Sequence, residues 1–295
     1  MSKIFEALQN TDCRIRSFDI RGVLDDRITC DDIECADPPA MTVGDMPIVE
    51  GRPVIRDERP WAEHTRIASI RVRSRSPLAP FDGRHPAAGE QYRILRTRIL
   101  QHSSQARVIA VSSAGTGDGK SITATNIAFA LALCSDVKVL LVDADMRRGT
   151  IATELGLNPS PGLAEHLSGI CDLNSVTIQC EQLPNLHIIP AGEEYANPCE
   201  LLDSERWRST CVSVREAYQF VILDSPPIGI VADYELLQNV ADGVLLVLRP
   251  DNTNRQLAVR ALQSIPKAKL IGVVLNCVSG WLMGEQNLYG SYYRK

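Results

Sequence analysis

An α/β protein with a mainly parallel sheet and helices on both faces is what this sequence predicts, and three observations predict it. Short, continuously apolar runs recur from about residue 107 onward. Segments of helical pattern lie between them, and one run feeds a glycine-rich loop that opens a helix. Continuous apolar strands alternating with helices imply a parallel sheet buried on both faces.

Taken in order, residues 1–78 differ from the rest. They are rich in Asp, Arg and Pro (DDRITCDDIECADPPA, VEGRPVIRDERP) and show no sustained period, so a largely disordered, low-order arm and linker is expected there. Within it, Ile4, Phe5 and Leu8 can share one face of a short helix between Ser2 and Leu8. SRSPLAPFDGRHPAAG reads as linker, and the α/β domain is expected over residues 79–280. Its strands are read at RVIAVS, VKVLLVD, LHIIP, YQFVILD, GVLLVL and KLIGVVLN, with helices from Ser121 to Cys134 and from Thr253 to Ile265 among those between them. Residues 281–295 read as a flexible tyrosine-rich tail.

Composition narrows the function classes. The 295 residues are 44% hydrophobic, enough for a substantial core, and the formal net charge of −5 argues against a general nucleic-acid binder. No apolar run reaches the ~18 residues of a membrane-spanning helix, and MSKIFEALQNTDCRIR lacks the apolar centre of a secretory signal. The nine cysteines are scattered and contain no C-x-x-C pair, the pattern of reduced cytosolic thiols.

Chemistry is carried by "RVIAVSSAGTGDGKSITATNIAFALAL", Arg107 to Leu133: a strand, a glycine-rich loop, a helix. Its end, Gly119-Lys120-Ser121, fits the phosphate-loop pattern G-x-x-x-x-G-K-[ST], although Ala114 holds the first glycine position. Gly115, Gly117 and Gly119 are expected to turn successive N–H groups inward, toward the same point as the helix's positive end. Lys120 is then expected on the β- and γ-phosphates and Ser121 on Mg²⁺.

Two further sites follow strands. VLLV leads into Asp143-Ala144-Asp145-Met146-Arg147, and FVIL leads into Asp224-Ser225-Pro226-Pro227. In open α/β sheets ligands sit outside the carboxyl ends of strands, so Asp143, Asp145 and Asp224 are expected to converge on the γ-phosphate and its metal. A lone Asp in such a place is often a helix cap or turn residue; three in this order after a phosphate loop weaken that reading.

These motifs resemble the bacterial tyrosine kinases of the polysaccharide-assembly type, the BY-kinases or CpsD/CapB-type kinases, over about Glu90 to Val278. SSAGTGDGKS resembles the family's Walker A loop, LLVDADMRR its second motif and VILDSPP its Walker B. Pro190-Ala191-Gly192, Asn197-Pro198 and Glu200-Leu201-Leu202 resemble its P-A-G … N-P-x-E-L-L segment. Glu90, Arg93 and Arg96 fit its E-x-x-R-x-x-R oligomerisation motif. Thr116 departs from the family's usual proline, and the family's membrane-spanning activator is not fused to this sequence.

The resemblance implies a P-loop NTPase of the deviant Walker A type acting as an ATP-dependent, Mg²⁺-requiring tyrosine autokinase in extracellular or capsular polysaccharide synthesis or export. It implies a ring-like homo-oligomer in the cytoplasm, recruited to the membrane by a separate transmembrane activator or polysaccharide co-polymerase. ATP is expected on Gly115, Thr116, Gly117, Asp118, Gly119, Lys120, Ser121 and Ile122, with Asn276 meeting the adenine. Ser121, Asp145 and Asp224 are assigned to the metal, and Lys120, Asp143 and Asp145 to catalysis, with Asp143 favoured as base. Arg147 is divided between a phosphate contact and an ordinary ion pair.

Two rival readings stand beside this one. A ParA/MinD-like ATPase switch carries an early loop lysine, aligned here with Gly115, which is not a lysine. A catalytically inactive regulatory subunit would not need the complete set of acids and lysine. The tail favours the kinase: three of the seven tyrosines, Tyr289, Tyr292 and Tyr293, fall in the last seven residues, where even scattering gives roughly 0.2. They are the expected acceptors on neighbouring subunits.

Overall fold

The computed structural model describes residues 65–72, 77–78, 86–250 and 252–278. The segment from Ser2 to Leu8 and the tail with Tyr289, Tyr292 and Tyr293 lie outside the described residues.

Eight strands form one sheet: β1 (Arg66–Ala68), β2 (Val108–Ser113), β3 (Val139–Asp143), β4 (Ile178–Cys180), β5 (Leu186–Ile189), β6 (Phe220–Asp224), β7 (Gly243–Leu248) and β8 (Leu270–Leu275), in the spatial order β1-β4-β5-β3-β6-β2-β7-β8. All neighbours are parallel except β4 and β5. The six strands read from the sequence are the six parallel ones, β5, β3, β6, β2, β7 and β8.

The period of two along each strand divides the core. On one face Val108, Ala110, Leu140, Val142, Val221, Leu223 and Leu246 meet Trp207, Tyr234 and Leu237. These last three come from helices numbered below as α7 (Glu205–Ala217) and α8 (Asp233–Val240). On the other face Ile109, Val111, Leu141, Ile222, Leu245 and Val247 pack on Ile127, Phe129 and Leu131. Burial of each such side chain contributes about 1.5–3 kcal/mol.

The remaining helices, in chain order, are α1 (Pro86–Gln101), α2 (Lys120–Ala132), α3 (Ile151–Leu155), α4 (Leu163–Leu167), α5 (Leu173–Val176) and α6 (Pro198–Leu202), with α9 (Arg255–Ser264) after β7. Residues 123–132 of α2 are all buried, between the sheet and α1. Its Ala-rich sequence, in which Lys120 at the first position is the one charged residue, suits a helix covered on every side.

The expected boundary at residue 78 does not coincide with the edge of the sheet. β1 pairs with β4 through Arg66, Ile67 and Ala68. Beyond it Arg71 N–H donates to Leu155 O, Asn126 Nδ2 donates to Pro77 O, and Leu78 is fully buried. Three residues are too few to show a period, and the bonds that hold this strap come from Gln182, Leu155 and Asn126, far along the chain. The other strand not read from the sequence, β4, is equally short.

Candidate active site at the carboxyl ends of three strands

Strand order explains why the motifs meet. β3, β6 and β2 are consecutive in the sheet, so their carboxyl ends place Asp143, Asp224 and the phosphate loop side by side. Asp143 is in register with Asp224, and Asp224 with Val111, two residues before β2 ends.

Lys120 opens α2 directly after Gly119, whose φ of 92° is a left-handed conformation suited to glycine. Lys120 Nζ lies 2.8 Å from Asp145 Oδ2, 3.4 Å from Asp224 Oδ1 and 3.1 Å from Ser121 Oγ. Burial opposes the lysine's charge, but Asp224 and Asp145 outweigh it and hold the ammonium above its ordinary range.

Asp143 and Asp224 are fully buried and Asp145 nearly so. Burial, then the neighbouring charge of Asp224, pushes Asp143 well above the usual carboxylate range, although Ile151 N–H donates to its Oδ2 at 3.1 Å. Burial also raises Asp224, against the pull of Lys120. Asp143 Oδ1 and Asp224 Oδ2 are buried without a hydrogen-bond donor among the described residues. Orphaned carboxylate oxygens beside a serine hydroxyl form a hard-oxygen donor set, which fits Mg²⁺. Of the three residues expected on the metal, Asp224 keeps an oxygen without a donor among the described residues, whereas Asp145 Oδ2 and Ser121 Oγ are both held by Lys120 Nζ.

Several side chains sit otherwise than the sequence suggests. The N–H of Gly115 turns away from the expected cradle and donates to Asp118 Oδ2 at 2.9 Å. Asp118 is fully buried, with its carboxylate under the loop, while Thr116 and Gly117 are exposed. Ile122 packs against the α2 core. Asn276 Nδ2 donates to Asp118 O at 2.9 Å, and its Oδ1 accepts from Cys277 N–H. Arg147 is ion-paired: Nε and Nη2 reach Asp233 Oδ2 and Oδ1 at 2.7 and 3.1 Å.

The P-A-G segment borders the acids. A Cβ on Gly149 would collide with Ala191 and come within 3.3 Å of Asp143 Oδ2. Glu165 secures this loop by accepting from Gly162 N–H and Glu193 N–H. Sequence reasoning missed Glu165, since nothing local marks a carboxylate whose partners lie up to 28 residues away. On α1, Glu90 and Arg93 are paired at 2.7 Å, whereas Arg96 reaches inward to Ala130 O. The three thus do not form one outward-facing set.

A family model described as an AAA domain matches residues 106–269. Tyrosine-protein kinase YwqD of Bacillus subtilis is 36% identical over 210 residues, covering 70% of this chain and 86% of that protein. The kinase domain of the Escherichia coli tyrosine kinase ETK superposes with a TM-score of 0.62 at 28% identity, covering 70% of this chain and 82% of that one. The septum site-determining protein MinD of Pyrococcus horikoshii, solved with Mg-ADP, is 23% identical with a TM-score of 0.51, over 59% of this chain and 71% of that one, and shares the fold. With 36% identity to a tyrosine-protein kinase over 70% of its length, the chain belongs to the bacterial tyrosine-protein kinase family of P-loop proteins.

Proposed function

We propose that the protein is an ATP-dependent tyrosine autokinase that transfers the γ-phosphoryl group to tail tyrosines of a neighbouring copy. One observation carries this reading: Lys120 is gathered with Asp145 and Asp224, beside Asp143, at the carboxyl ends of adjacent strands. The relatives' name, tyrosine-protein kinase, supports the same chemistry.

Phosphoryl transfer needs positioning and charge neutralisation more than covalent chemistry. Lys120 exchanges its carboxylate partners for the β- and γ-phosphates. Ser121, Asp145 and Asp224 hold Mg²⁺, which supplies charge neutralisation when bound. Ionised Asp143, whose proton affinity is raised by burial and by the neighbouring Asp224, accepts the phenolic proton of the incoming tyrosine; that phenol, with a pKa of about 10, otherwise keeps it.

The tyrosines themselves favour tail acceptors. Tyr218 and Tyr234 are buried and Tyr92 is half-buried, leaving Tyr195 as the exposed tyrosine among the described residues. The three remaining are Tyr289, Tyr292 and Tyr293. Each phosphate adds nearly two negative charges, so a multiply modified tail is repelled by the acidic site and leaves it. This chemistry suits a ring built through Glu90 and Arg93, regulating extracellular or capsular polysaccharide synthesis together with a transmembrane activator. Among the described residues no helix is long and apolar enough to cross a membrane, and recruitment to the inner membrane face through that partner belongs to the same proposal.

Incubating the purified protein with Mg-ATP, with and without a cytoplasmic activator peptide, and mapping phosphotyrosine by mass spectrometry tests it. Phosphate on Tyr289, Tyr292 and Tyr293 is expected. ATP hydrolysis without any phosphotyrosine, peptide present, would instead mark a switch ATPase.

A further inference from the structure

The carboxylate of Asp118 is an unusual occupant for a loop that receives phosphate. It is fully buried and takes three donors: Gly115 N–H at 2.9 Å on one oxygen, and Asn252 Nδ2 at 2.9 Å and Thr253 Oγ1 at 2.8 Å on the other. Asn252 Nδ2 also reaches Thr116 O at 3.2 Å. Asn252 and Thr253 lie just beyond β7. From the opposite side Asn276, just beyond β8, donates to the carbonyl of the same Asp118. Asn276 lies so close to the loop that a Cβ on Gly119 would overlap its amide.

A negative charge beneath a phosphate loop opposes an incoming triphosphate, so its presence calls for a compensating gain. That gain is order. Gly117 and Gly119, at φ 80° and 92°, have wide conformational freedom. A loop held by them alone would lose that freedom on each binding event. Charge-assisted bonds to a buried carboxylate are the strong kind, and here they tie the loop to the segment after β7, while Asn276 ties the Asp118 carbonyl to the end of β8.

We propose that Asp118 is a positioning residue, and that Asp118, Asn252, Thr253 and Asn276 form a latch that presets the phosphate loop before nucleotide arrives. In this arrangement Asn276 serves the loop and not the recognition of adenine. The proposal rests on the nucleotide-site reading of the loop, and the test separates the two.

Asp118→Asn keeps the shape but turns an N–H₂ toward a donor. Thr253→Val removes one hydroxyl and Thr253→Ser restores it. Three quantities are measured: amide hydrogen exchange of residues 115–119 without nucleotide, Kd for Mg-ATP and Mg-GTP, and the nucleotide-free melting temperature. Asp118→Asn and Thr253→Val are expected to accelerate loop exchange and weaken Mg-ATP binding about tenfold, with Thr253→Ser near wild type. Asn276→Ala is expected to weaken ATP and GTP by the same factor. Unchanged loop exchange in both Asp118→Asn and Thr253→Val overturns the latch. So does weakened binding that tracks a lowered melting temperature without a change in loop exchange, or an Asn276→Ala loss confined to ATP. If Asp118→Asn does not fold, Thr253→Val against Thr253→Ser decides. Wild-type protein that binds no nucleotide would refute the site reading, and exchange would still decide the latch.

Discussion

Lys120 Nζ lies 2.8 Å from Asp145 Oδ2, with only 14% of the lysine side chain and 4% of the aspartate exposed. The lysine therefore offsets the charge of the buried acids Asp145 and Asp224. Read from the sequence alone, a loop lysine owes little to the core, and Lys120→Met should leave the fold intact. The geometry reverses that expectation. Removing one partner of a buried pair leaves the other uncompensated, at a cost of about 3–5 kcal/mol for a fully buried pair.

Lys120→Met is accordingly expected to abolish transfer and also lower the nucleotide-free melting temperature. Adding Asp145→Asn should recover part of the lost stability and none of the activity. A double-mutant cycle by thermal melting checks this; strictly additive losses would contradict the coupling.

Asp143→Asn should do the opposite to stability. An ionised Asp143 faces Asp224 in a buried setting, so its folded-state proton affinity is raised. A raised carboxylate favours the folded state at low pH and loses that contribution as pH rises above the ordinary carboxylate range. Without Mg²⁺, the asparagine variant should melt roughly 2–4 °C above wild type at neutral pH, about 1 kcal/mol for a domain of this size. The difference should close on acidification, while phosphoryl transfer falls steeply. Thermal melts from pH 4 to 8 measure it.

Asp242 carries the reverse sign. Burial raises its proton affinity, but the Val108 and Arg107 amides and Arg215 outweigh this and lower it overall. The stabilisation is present above the ordinary carboxylate range and is lost as pH falls through it. Asp242→Asn should cost about 1–2 kcal/mol at pH 7, shrinking below about pH 4. Urea unfolding at the two pH values tests this without reference to activity.

Arg93 and Arg96 call for separate variants. Arg93 is exposed and paired locally with Glu90, a contact worth a few tenths of a kcal/mol. Arg93→Ala should leave the melting temperature near wild type and shift the protein to smaller species by light scattering. Arg96→Ala removes the bond to Ala130 O and should lower the melting temperature as well. An unchanged mass for Arg93→Ala would count against a subunit contact there.

The phosphate loop and the acids at Asp143, Asp145 and Asp224 were legible because each motif is local: a few apolar residues, then the functional ones. Their convergence was legible too, because strand ends are where α/β sheets bind. What escaped was whatever depends on distant partners. Asp118 reads as a loop residue until Asn252 and Thr253, more than 130 residues away, are seen on it. Arg147 waits for Asp233, Arg96 for Ala130, and the strap at Arg66–Ala68 for β4. A three-residue strand carries too little pattern to be read alone.

Transfer between copies is the claim most directly open to measurement. A chain carrying Lys120→Met with Asp145→Asn and an intact tail, shown by thermal melting to be folded at the assay temperature, is mixed with an active chain lacking residues 281–295, and Mg-ATP is added with the activator peptide. Phosphate should appear on Tyr289, Tyr292 and Tyr293 of the inactive chain, which cannot modify itself. If its tail gains none while intact wild type modifies itself under the same conditions, transfer to a neighbouring copy is contradicted.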